Sequence, residues 1–108
     1  MSLVRIDSSR ITDWPSFHET CKEAFDFPSF YGMNLSAFVD CLTYIDEGDG
    51  MSNIVLEPGE MLTIELLSAD DFQSRVPEIF NGLIDSVQAI NRRFTDETKP
   101  ERVRLVLL

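Results

Sequence analysis

The stretch FPSFYGMNLSAFVDCLT, Phe27 to Thr43, holds the residues best arranged for chemistry. Read as a helix that opens after Gly32-Met33-Asn34, it places Leu35, Phe38, Val39 and Leu42 at i, i+3, i+4 and i+7, a buried stripe. Ser36, Asp40 and Thr43 then share the opposite, wet face. A lone carboxylate with small hydroxyl neighbours can enter a concave cationic pocket without steric obstruction. The chemistry it suits is electrostatic recognition, not turnover. The competing reading of Asp40 is an acid that merely solvates a helix flank.

Other candidate groups lack partners for catalysis. His18 follows Phe17 in a helical phase that turns it away from the strand ends where α/β active sites gather, and it reads as a surface histidine. Cys21 and Cys41 are the two cysteines, the first on the buried face of one helix and the second near the edge of another. Their acidic neighbourhood gives no reason for a depressed thiol pKa, and reduced thiols are expected. Two cysteines and one histidine offer no zinc spacing. The acidic run Asp46 to Gly50 (DEGDG) lacks the third-position ligand of a calcium loop, although Glu57 falls at the twelfth position. No phosphate-binding glycine loop and no G-x-S-x-G occur. The sequence therefore predicts no enzyme, no metal and no cofactor.

Charge narrows the choice of partner. Nine basic residues stand against 19 acidic ones, for a formal net charge of −10. None of the basic residues falls between Lys22 and Arg75, an interval that contains Asp40. Such a surface repels nucleic acid and anionic membrane and attracts a basic protein. Keeping the chain soluble is the plainer use of the same acids. No apolar run reaches the roughly 20 residues of a membrane span. The start, Met1 to Arg5, has no signal-peptide pattern. A cytoplasmic, bacterial-type protein, monomeric when free, is the expectation.

The elements that must position Asp40 follow from periodicity and punctuation. Leu3 to Ile6 alternates as a strand, and Asp7-Ser8-Ser9 breaks it. A helix starts at Asp13-Trp14-Pro15-Ser16 and buries Trp14, Phe17, Cys21, Ala24 and Phe25, ending by Pro28. The Asp40 helix follows, with Asn34 as its N-cap. Ile54 to Leu56 is a candidate extra strand before the Pro58-Gly59 turn. Met61 to Leu67 reads as a largely buried strand. Ser68 to Asp71 resembles a capping box for a short helix. Pro77 opens a longer helix whose Phe80, Leu83, Val87, Ile90 and Phe94 face inward, with Gly82 a sign of close packing. Thr95 to Glu101 is a polar turn before a closing strand, Val103 to Leu108. The order β-α-α-β-α-α-β over residues 1–108 predicts one α/β domain, with a small three-stranded parallel sheet packed by helices.

The segment resembles the one that defines the barstar family of ribonuclease inhibitors. Pro28, Phe30, Tyr31-Gly32, Asn34-Leu35, Ala37, Phe38, Asp40 and Leu42 match its pattern P-x-[YF]-[YF]-G-x-N-L-x-A-[LF]-x-D-x-L. The flanking elements agree in kind and order, with an apparent insertion from Gly48 to Glu60. The resemblance implies a proteinaceous inhibitor whose second helix and preceding loop block the active site of a basic ribonuclease, with Asp40 lying where an RNA phosphate would. It implies contacts from Phe30, Tyr31, Gly32, Asn34, Ser36, Val39, Asp40, Thr43 and Tyr44. Four departures stand out. Ser36 replaces a second aspartate, Val39 a tryptophan and Phe30 a tyrosine, and Asn91-Arg92-Arg93 falls where glutamates reach the nuclease. These departures motivate a second reading, a barstar-like interaction module whose partner is not a ribonuclease.

Overall fold

A computed structural model describes residues 2–43, 60–96 and 102–108. The DEGDG run, the candidate strand Ile54 to Leu56, the Pro58-Gly59 turn, residues 48–59 of the insertion and Tyr44 lie outside the described residues. Three parallel strands, β1 (Ser2–Asp7), β2 (Leu62–Leu67) and β3 (Val103–Leu107), form a sheet in the order β1-β2-β3. The helices are α1 (Trp14–Phe25), α2 (Leu35–Thr43), α3 (Ala69–Arg75) and α4 (Pro77–Asp96). The expected α/β architecture and element order are those observed.

Register explains which sheet face is apolar. Val4 aligns with Ile64 and Leu105, and Ile6 with Leu66 and Leu107. Because alternate residues of a strand point to opposite faces, this row lies on the core side of the sheet, although Leu107 at the end of β3 is exposed. Val4, Ile6, Leu62, Ile64, Leu66 and Val103 are all buried there. The other face presents the aligned pair Arg5 and Glu65, with Arg5 Nε donating to Glu65 Oε1 at 2.7 Å.

Local signals set the helix ends. Asp13 caps α1 with a reciprocal box: its Oδ1 accepts from Ser16 N at 2.9 Å, and Ser16 Oγ accepts from Asp13 N at 3.1 Å. The helix stops at Asp26, whose φ of 52° is left-handed. Ser68 departs from expectation: its own backbone is left-handed and its side chain makes no cap bond, so no capping box opens α3. Arg75 secures that helix instead, donating to Ser8 O at 3.1 Å and Ile11 O at 2.9 Å. The last helix also runs further than its sequence suggests, through Thr95 to Asp96.

Gly82 has a packing reason. A Cβ there would lie 2.8 Å from the Trp14 ring and 3.1 Å from Leu35 Cδ1, so only glycine lets α4 approach α1 and α2 this closely. Alanine improves helix propensity by about 1 kcal/mol, but overpacking costs typically 1–3 kcal/mol. Gly82→Ala should therefore lower the melting temperature; a rise would show that the Trp14 ring moves aside freely.

Candidate functional site

The loop before α2 is built around Asn34. Its Oδ1 accepts from Ala37 N at 2.8 Å, satisfying one orphan donor of the first turn, and its Nδ2 donates to Gly32 O at 3.1 Å. The left-handed residue is Met33, with φ 55°, so Gly32 is not needed for an unusual backbone angle. A Cβ on Gly32 would instead meet Asn34 Nδ2 at 3.3 Å and Ala37 Cβ at 3.4 Å, so the small residue lets the loop fold tightly onto the helix start.

Beneath the loop lies a set of rings. Phe38 of α2 is fully buried, with ring centroids 5.9 Å from Phe17, 6.0 Å from Phe25 and 6.1 Å from Phe27. Tyr31 packs on Phe27 at 4.8 Å. The buried stripe of α2 differs in phase from the expected one: Phe38, Cys41 and Leu42 are buried, while Leu35 and Val39 are half-buried. The helix is rotated toward Cys41, which is core and not edge. Cys21 is buried too, and desolvation pushes its thiol well above the ordinary range.

His18 is the clearest correction. It is buried, not on the surface, stacked on Trp14 with ring centroids 6.1 Å apart. Its Nδ1 shares a 2.7 Å hydrogen bond with the Tyr31 hydroxyl. Aromatic neighbours on α1 and in the α2 loop close round it, which α1 periodicity alone does not show. Burial lowers its pKa and raises that of the Tyr31 phenol, so both are neutral near pH 7. The folded imidazole titrates below the ordinary value of 6.5 kept by the unfolded chain. The unfolded state thus binds more protons as pH falls below about 6.5, and stability falls with it. Between pH 7.5 and 5.5 the urea midpoint should decline, and His18→Gln should flatten that slope; an equal slope in the variant would clear His18 of the effect.

On the outer side, the expected contact residues divide. Phe30 is 73% exposed, and Gly32, Asn34, Ser36 and Asp40 are exposed as well. None of the ion pairs among the described residues involves Asp40. Val39 and Thr43 are half-buried, and Thr43 Oγ1 donates back to Val39 O at 2.6 Å. Tyr31 belongs to the interior, where its hydroxyl serves His18. A shallow hollow of about 330 Å³, lined by Trp14, His18, Met33, Asn34 and Leu35, opens beside the start of α2.

The Asn91-Arg92-Arg93 run is not one cationic face. Asn91 pairs with the start of β3: its Nδ2 donates to Val103 O at 2.8 Å, and its Oδ1 accepts from Val103 N at 3.0 Å. Arg93 Nη1 donates to the Thr43 carbonyl at the end of α2. Only Arg92 of the three is exposed. Sequence reasoning missed these roles because each joins segments distant in the chain, and neither leaves a local pattern.

Among the described residues, no three His, Cys, Asp or Glu side chains gather in a metal-binding group. No described helix is long and apolar enough to cross a membrane. The site is therefore an exposed carboxylate on a short helix, with an exposed ring before it and an aromatic base beneath. The sequence profile of the family described as Barstar (barnase inhibitor) matches residues 1–106, and the chain belongs to that family. Members of this family are inhibitors, not enzymes. No curated protein matches the chain.

Proposed function

From this membership in the barstar family, we propose that the chain inhibits a basic, barnase-type ribonuclease by laying α2 and the preceding loop across its active site. The observation that carries the proposal is Asp40, an exposed carboxylate on a helix whose start is fixed by Asn34 and whose base is fixed by Phe38. A ribonuclease active site holds cationic groups for the RNA phosphate, and an anion presented on a rigid scaffold can occupy that place. Gly32 and Asn34 shape the loop, Phe30 offers an aromatic face, and Ser36, Val39 and Thr43 flank the acid. Tyr31 supports the loop from inside. Tyr44 belongs to the proposed contact set by its resemblance to the family alone.

A second reading rests on Ser36 and Val39. They replace an acid and a large aromatic of the kind the resemblance implies at inhibitory contacts, which leaves fewer anchors for the same groove. On that reading the scaffold is kept and the partner is a basic protein other than a ribonuclease. Binding isotherms with a barnase-type ribonuclease at several salt concentrations separate the two. The inhibitor reading expects complex formation that weakens as salt rises, because encounter and docking both depend on charge. No complex at any salt, with a non-nuclease protein bound instead, supports the second.

A further inference from the structure

Helix α2 is nine residues long, too short to be stable alone, and its last turn carries no basic residue of its own. The final carbonyls of such a helix have no intrahelical donor and point their negative ends outward. One of them, Thr43 O, accepts from the Arg93 guanidinium of α4, 50 residues along the chain. At the opposite end, Leu35 lies against Gly82 of the same helix. From Gly82 to Arg93, α4 advances about 16 Å, and from Leu35 to Thr43, α2 advances about 12 Å. The two helices thus run side by side in the same direction, and α4 meets α2 at both ends.

We infer that Arg93 is a positioning residue for the binding face: it holds the last turn of α2 closed and thereby fixes the direction of Asp40. This rests on α2 being the binding helix. Asp40 stands three residues before Thr43, so fraying of the last turn frees the segment that carries it. The competing view treats Arg93 as a positive charge that repels a basic nuclease. The two views give opposite signs. Removing a repelling charge tightens the complex, whereas removing a brace loosens it.

The test uses the full-length chain with Arg93→Met, which keeps an apolar stem, and Arg93→Lys, which keeps charge and one donor direction. A charged hydrogen bond of this kind is worth roughly a factor of ten. Arg93→Met should dissociate from a barnase-type ribonuclease about tenfold faster, and Arg93→Lys should recover most of the loss. Combined with Asp40→Ala, Arg93→Met should cost little more, because the acid it positions is already gone. In the free chain, hydrogen exchange should quicken at the amides of Cys41, Leu42 and Thr43 and stay unchanged at Ile64 of β2. Unchanged or slower dissociation, while Asp40→Ala still weakens binding, overturns the inference. Unchanged exchange at Cys41 to Thr43 overturns it too, independently of any nuclease. If instead Asp40→Ala leaves affinity intact, the binding face is misassigned, and the exchange data alone decide whether Arg93 braces α2.

Discussion

Asp40→Ala should weaken binding to a barnase-type ribonuclease by about 2–5 kcal/mol, the general cost of truncating one partner of a buried charge pair. The barnase–barstar complex of this family is itself one of the cases behind that range. The direction comes from the structure. Asp40 is exposed and unpaired by described residues, so its desolvation is offset only by a partner's cations. Removing it leaves those cations buried and unmatched, which adds to the loss. The free protein should fold as before, because no ion pair among the described residues uses this carboxylate. Asp40→Asn should lose most of the same energy, since the amide keeps the shape and loses the charge. The loss should shrink as salt rises, when the charge pair is screened during encounter. Calorimetric titration of the three proteins at low and high salt measures all of these quantities.

Phe38→Ala should destabilise the fold by about 3–5 kcal/mol, the usual cost of deleting a buried phenylalanine. Its ring is 0% exposed and touches Phe17, Phe25 and Phe27, which come from α1 and from the chain just after it. The cavity would open directly beneath Asp40's helix. A domain of this size has only about 5–15 kcal/mol of net stability, so the variant should unfold at markedly lower urea concentration. Phe38→Leu, with a smaller void, should lose less. A loss below about 1 kcal/mol for Phe38→Ala would mean that α2 is not seated through this ring.

The sequence carried the fold because its signals are local and agree with one another. Alternation marks β1, an apolar run marks β2, and Asp13, Asn34 and Pro77 announce three helices within a residue or two of where they start. The burial phase of α2 was harder. Cys41 and Val39 flank the Phe38–Leu42 stripe on opposite sides of a short helix, and a modest rotation of that helix decides which of them is covered. His18 departs from its expected surface position for a related reason. One helix predicts an outward phase, but Tyr31 arrives from the following loop to accept or donate at its Nδ1.

Of the proposed binding face, the acid was legible and its supports were not. Asp40 and Ser36 sit on the outside as periodicity required, whereas Thr43, expected on the same face, is half-buried. Tyr31 belongs to the same dense segment but points inward, since a motif records which residues occur together and not which way each one faces. Arg93 and Gly82 act across tens of residues, and only the assembled helices show what they touch. The arginine is the instructive case: counted along the chain it looks like an unwelcome charge, and in the fold it closes a helix.

The measurement that bears most directly on the inhibitor account is steady-state cleavage of a dinucleotide by a barnase-type ribonuclease at increasing concentrations of this chain. If α2 occupies the phosphate site, inhibition is competitive: apparent KM rises in proportion to inhibitor, kcat stays constant, and Asp40→Asn removes the effect. A falling kcat at constant KM, or undiminished cleavage with the complex fully formed, would place the chain elsewhere on the enzyme and contradict the account.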